Sequence, residues 1–176
     1  MKSWGRALLV CAVFVCGAAS AQFLSVAQTV KPLNISLLNR WMETNKAISS
    51  YQSVINDMLP TDAEASAFDK LSSPEQDRLV NSYLQRKGMF EPLNSNMIKL
   101  CWSGVADYMR ASSQIGNAIA AELQEERVAA LTKEQAKAIM DKADPAVKAV
   151  SKADLDFIRK NKALISQYIQ NYSASK

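Results

Sequence analysis

The chain of 176 residues predicts an all-α fold, a compact bundle of five to seven helices, three of them long, lying after an N-terminal secretory leader. Three observations predict it. Beyond residue 21, Ala, Ser, Leu, Gln, Lys and Glu dominate, and glycine is confined to Gly88, Gly104 and Gly116, a helix-forming composition poor in turn residues. No segment alternates at period two for long enough to make a strand, whereas apolar residues recur at steps of three and four. A hydroxyl residue followed three positions later by an acid or amide also precedes several of the apolar runs, the spacing of a helix capping box.

The leader is read from MKSWGRALLVCAVFVCGAASA: Lys2 and Arg6, an apolar stretch from Ala7 to Val15 too short to span a bilayer, then Ala19-Ser20-Ala21 before a cut. Lipid attachment requires small residues before the cysteine, and Cys11 and Cys16 follow Val10 and Val15 instead. The expected organisation is a signal peptide over 1–21 and a single helical domain over 22–176, periplasmic or secreted, with no integral membrane span in the mature chain. Its length is enough for a core without staples. Cys101 is then the one thiol left, which excludes an internal disulfide and suits a bacterial periplasm better than a eukaryotic secreted domain.

Taken in order, a first helix is expected from about Val30 or Leu33 to Met58, with Leu37, Trp41, Ile48, Tyr51, Ile55 and Met58 on one stripe and Pro60 ending it. Thr61 to Glu64 opens a second. Ser73 caps a third, with Pro74 in its first turn, Glu75 and Asp77 at its positive end, Arg86 and Lys87 at its negative end and Gly88 as its stop. A helix from Glu91 to Cys101 buries Leu93, Met97, Ile98 and Leu100. The corner Trp102-Ser103-Gly104 then leads into the longest helix, to about Leu131, where Ala111, Ser112, Ser113, Gly116, Ala118, Ala120 and Ala121 allow neighbouring axes to approach closely. Thr132 caps a short helix to Lys142, Asp144-Pro145 opens another, and Ser151 caps a terminal helix to Tyr172 with Phe157, Ile158, Leu164, Ile165, Tyr168, Ile169 and Tyr172 in a broad band.

The composition restricts the chemistry. There is no histidine, which removes Ser-His-Asp and Cys-His arrangements, paired-His metal sites and c-type haem attachment together. No cofactor is expected. Met42, Met58, Met89, Met97, Met109 and Met140 are scattered, most of them on apolar faces, which reads as core filling and not as a copper site. Without Lys2 and Arg6, the 21 Lys and Arg against 17 Asp and Glu become 19 against 17, a balance that argues against a nucleic-acid binder. Glu122, Glu125 and Glu126 read as a solvated charged end. Arg159, Lys160 and Lys162 could touch phosphate head groups on a membrane surface, although Asp154 and Asp156 lie beside them.

Cys101 is expected as a small buried apolar residue at a helix end, where the dipole disfavours thiolate. Its functional alternative is an intermolecular disulfide. The leading expectation for function is a non-enzymatic interaction, accessory or chaperone-like module that presents helix surfaces to another periplasmic protein. The alternative from another class is a carrier of an apolar small molecule, in a cavity between helices lined by Trp41, Tyr51, Tyr108, Met109 and Tyr168. Cys101 and Trp102 complete the set of candidate interaction residues. A hydrolase using only carboxylates is the third reading.

Overall fold

A computed structural model describes residues 31–174; the leader expected at residues 1–21 lies outside the described residues. The described chain is helical, and no strand occurs among the described residues. It divides into two compact units, one formed by Ile35–Ser112 and the other by residues 31–34 with 113–174.

The unit Ile35–Ser112 begins with α1 (Ile35–Ala47), a 3-10 turn (Ser49–Tyr51) and α2 (Gln52–Asn56). The expected continuous first helix is thus broken after Ala47. Ile48 is β-branched and Ser49 and Ser50 compete for backbone partners, so the chain tightens there, and the Tyr51 N–H donates to the Ile48 carbonyl at 2.8 Å. The apolar stripe survives the break because three-residue spacing suits both helix types: Trp41, Ile48, Ile55 and Met58 are buried. Leu38 takes the buried place expected of Leu37, which is half-buried.

Next come α3 (Asp62–Asp69) and α4 (Ser73–Arg86). Thr61 caps α3 through a reciprocal box with Glu64, as its spacing predicts. At α4 the cap is Ser72, one residue earlier than expected: the Glu75 carboxylate accepts from the Ser72 N–H at 2.9 Å and from its hydroxyl at 2.5 Å. Gln76, the partner required for a Ser73 cap, is buried and donates instead to the Phe68 carbonyl at 3.0 Å. The Ser72 hydroxyl and N–H hold the Glu75 carboxyl below its ordinary value. Val80, Leu84, Leu93 and Met97 from α4 and α5 (Phe90–Lys99) are fully buried, and Trp41 and Phe68 are buried in the same unit. Burial of each such side chain contributes about 1.5–3 kcal/mol. The first turns of α6 (Val105–Ala129) complete this unit, where Arg110 reaches Asp77 at 2.8 Å and Gln76 at 3.2 Å.

The other unit contains the rest of α6, then α7 (Lys133–Asp141), α8 (Pro145–Lys148), α9 (Lys152–Lys160) and α10 (Lys162–Ala174). Its buried apolar side chains include Leu33, Ile115, Ala118, Ile119, Val147, Ile158 and Ile165. Thr132 and Ser151 cap α7 and α9 as expected. The Asp154 carboxylate does not close the box at Ser151; it accepts from the Leu33 N–H at 2.7 Å and from Gln114 Nε2 at 3.1 Å, which fixes residues 31–34. The expected terminal helix breaks at Asn161, whose Nδ2 donates to the Phe157 carbonyl at 2.8 Å and offers the backbone an alternative to the helical ladder. These breaks, with the short α2 and α8, give ten α-helices among the described residues where five to seven were expected.

Candidate functional site

The corner after α5 is set by backbone hydrogen bonding. The Trp102 N–H donates to the Met97 carbonyl at 2.9 Å and the Cys101 N–H to the Ile98 carbonyl at 3.0 Å, the two bonds of a Schellman motif. The same pair closes α4, from Met89 to Leu84 at 2.8 Å and from Gly88 to Gln85 at 3.0 Å. Both motifs need a left-handed residue at the same place; Gly88 has φ +66° and Cys101 has φ +62°. Cys101 is therefore a non-glycine residue in a conformation that glycine ordinarily supplies.

This geometry overturns the expected burial of Cys101, which is exposed. The helix ends at Lys99 with Leu100 as its C-cap, and the apolar role at the corner passes to Trp102, which is buried. A Cβ on Gly104 would lie 3.6 Å from Asn94 Oδ1, an ordinary contact, so close passage does not explain glycine there. The Ser103 N–H is taken by the Asp107 carboxylate at 3.1 Å.

Around Trp102 the structure gathers polar groups that the sequence leaves far apart. Its indole Nε1 donates to Thr44 Oγ1 at 2.7 Å, and the Thr44 hydroxyl donates to the Arg40 carbonyl at 2.7 Å. The Arg40 guanidinium lies 3.9 Å over the Trp102 ring while its Nη1 donates to the Cys101 carbonyl at 2.5 Å. Such a stacked cation contributes about 0.5–2 kcal/mol depending on its desolvation. Tyr108 meets Trp102 edge to face at 5.7 Å and donates its hydroxyl to Asn45 Oδ1 at 2.5 Å; Trp41 Nε1 donates to Ser112 Oγ at 3.0 Å. These bonds fasten α1 to the α5–α6 corner and use the indole and phenol groups within the protein. No nucleophile stands beside a base in this cluster.

Of the expected cavity residues, Trp41, Tyr108 and Met109 are buried and Tyr51 half-buried, all within Ile35–Ser112. Tyr168 belongs to the other unit, where it stacks on Tyr172 with ring centroids 5.7 Å apart.

The acidic end of α6 is paired, where a solvated end was expected. Glu122 is buried and accepts from Arg159 Nε at 2.7 Å; Glu125 accepts from Arg159 Nη2, and Glu126 from Lys162 Nζ. Asp156 stands 3.5 Å from Arg159 Nη1 and pairs with Lys152 at 2.7 Å. The Lys152 ammonium holds the Asp156 carboxyl below its ordinary value, and Glu122 raises the Arg159 guanidinium further. Arg159 and Lys162 thus face carboxylates, while Lys160 is exposed. Among the described residues no group of three or more His, Cys, Asp or Glu could hold a metal ion. Nor is any described helix long and apolar enough to cross a membrane.

A different feature escaped sequence reasoning. Ala136, Ile139, Met140 and Ala143 follow the i, i+3, i+4, i+7 pattern along α7 and just past its end, yet none of the nine residues of α7 is buried. Met140, read from sequence as core filling, is 37 % exposed, and Leu123 and Leu131 are exposed as well. Gln124 Nε2 donates to Met140 Sδ at 3.4 Å, which sets α7 beside the end of α6. The stripe was visible in the sequence; its lack of cover was not. Comparison with protein families, curated proteins and solved structures returns no match.

Proposed function

We propose that the chain is an exported, non-enzymatic helical module that acts by docking another protein on the apolar side of α7. The observation that carries the reading is a capped helix with an amphipathic stripe and no buried residue. Helices of this kind gain most of their stability from covering an apolar face, and among the described residues α7 realises only part of that gain, its stripe being half-buried at Ala136 and Ile139 and exposed at Met140. Covering Ile139, Met140, Leu123 and Leu131 would contribute about 1–2 kcal/mol for each side chain, from which association costs are subtracted. Complementary chemistry is an amphipathic segment with aliphatic or aromatic anchors and acidic residues at its rim, because by helical spacing Lys133, Lys137 and Lys142 border the stripe while Glu134 and Asp141 fall on the opposite face. The leader-like first 21 residues support export.

The test is a photo-crosslinking residue at position 143 of the full chain, expressed in its native host. A discrete crosslinked product is expected, abolished by Met140→Lys while circular dichroism stays unchanged. The absence of a product, with the protein monomeric at high concentration, would count against the proposal. So would a product insensitive to Met140→Lys. Fractionation adds a check on export: the mature chain should begin at Gln22 and leave the cytoplasm.

A further inference from the structure

The last two helices bury little apolar surface. On α9 and α10, Ile158 and Ile165 are the buried apolar side chains among the described residues; Phe157, Tyr168, Ile169 and Tyr172 are half-buried and Leu164 is exposed. Against this limited contact stands a concentration of ion pairs. Three carboxylates on successive turns of α6, Glu122, Glu125 and Glu126, meet Arg159 at the end of α9 and Lys162 at the start of α10. These two cations bracket Asn161, where the helix breaks, so the cluster grips the joint between the two helices.

We propose that this cluster is an ionic latch: removing the charge of the α6 carboxylates by substitution releases α9 and α10 together as a local opening. Residues 35–112 keep their structure, because their core and their Trp102 network use none of these charges. Opening exposes Ile158 and Ile165 next to the already exposed Leu164, a conditional apolar face separate from α7. The groups around the latch are Glu122, Glu125, Glu126 and Arg127 on α6, Lys152, Asp154, Asp156, Arg159 and Lys160 on α9, and Lys162 on α10. Lys137 and Asp141 on α7 pair with each other, and Lys148 donates to the Asp141 carbonyl. The Asp154 carboxylate is engaged separately, by the Leu33 N–H and Gln114.

Hydrogen exchange on the full chain tests the latch. The triple variant Glu122→Gln, Glu125→Gln, Glu126→Gln removes the three charges with little change of shape. Its protection over 152–174 should fall about tenfold, roughly twofold for each of the pairs that these carboxylates make with Arg159 and Lys162, with 35–112 unchanged. The pair Arg159→Gln, Lys162→Gln approaches the latch from the other side and should give the same loss. Unchanged protection in both variants, or equal loss over 35–112, would each overturn the latch.

Discussion

Cys101→Gly should stabilise the protein. A non-glycine residue in the left-handed region costs about 1–2 kcal/mol, and glycine returns part of that, about 0.5–1 kcal/mol, through the extra freedom of the unfolded chain. Because Cys101 is exposed, removing its side chain forfeits little burial, so the net gain is about 0.5–1 kcal/mol. Gly88 supplies the control. It occupies the same position of the same motif with nothing within 4 Å of an added Cβ, so Gly88→Ala isolates conformational strain and should destabilise by about 1 kcal/mol. Cys101→Ala keeps the left-handed strain and should change stability by only a few tenths of a kcal/mol. Urea unfolding under reducing conditions reads all three as shifts in midpoint at constant slope. A destabilised Cys101→Gly protein beside a destabilised Gly88→Ala protein would refute the argument, because the Cys101 side chain would then be supplying a contact that outweighs its strain.

Asp154→Ala removes the acceptor for the Leu33 N–H, and the orphaned donor should cost about 1–3 kcal/mol, read by thermal unfolding with faster exchange at Leu33. For Glu75 the pH dependence has a definite sign. Its folded value lies below the ordinary 4.5, so its contribution is fully present above 4.5 and disappears as the pH falls through the lowered value. The wild type should therefore exceed Glu75→Gln in stability at neutral pH, and the two denaturation midpoints should converge in acid. Persistence of the gap below that range would show that the Ser72 box is not its source.

What the sequence made legible was local. Thr61, Thr132 and Ser151 cap helices because a hydroxyl and an N–H three residues on interact wherever the rest of the chain goes. Ser72 and Ser73 show where this locality ends: both have a suitable residue three positions later, and the choice fell to Ser72 only because Gln76 is drawn inward to Phe68. The helix breaks at Ile48 and Asn161 were hidden because an apolar stripe passes through a 3-10 turn with little loss of phase. The polar cluster at Trp102 was hidden for a different reason. Thr44 is 58 residues from Trp102, and the pairs between α6 and Arg159 span 34 to 37 residues, separations at which no periodicity identifies a partner. Cys101 combined both difficulties. Its exposure follows from a left-handed backbone that a cysteine rarely marks, and Leu100 and Trp102 on either side made it look internal.

The turn at Cys101 also determines where soft electrophiles will react. Among the described residues it is the one sulfhydryl, and it projects from a backbone held by two main-chain bonds and by Arg40. Among the described residues, maleimides and spin probes then have one attachment point, at the residue next to Trp102 in the chain, from which events at that corner can be followed without any engineered site.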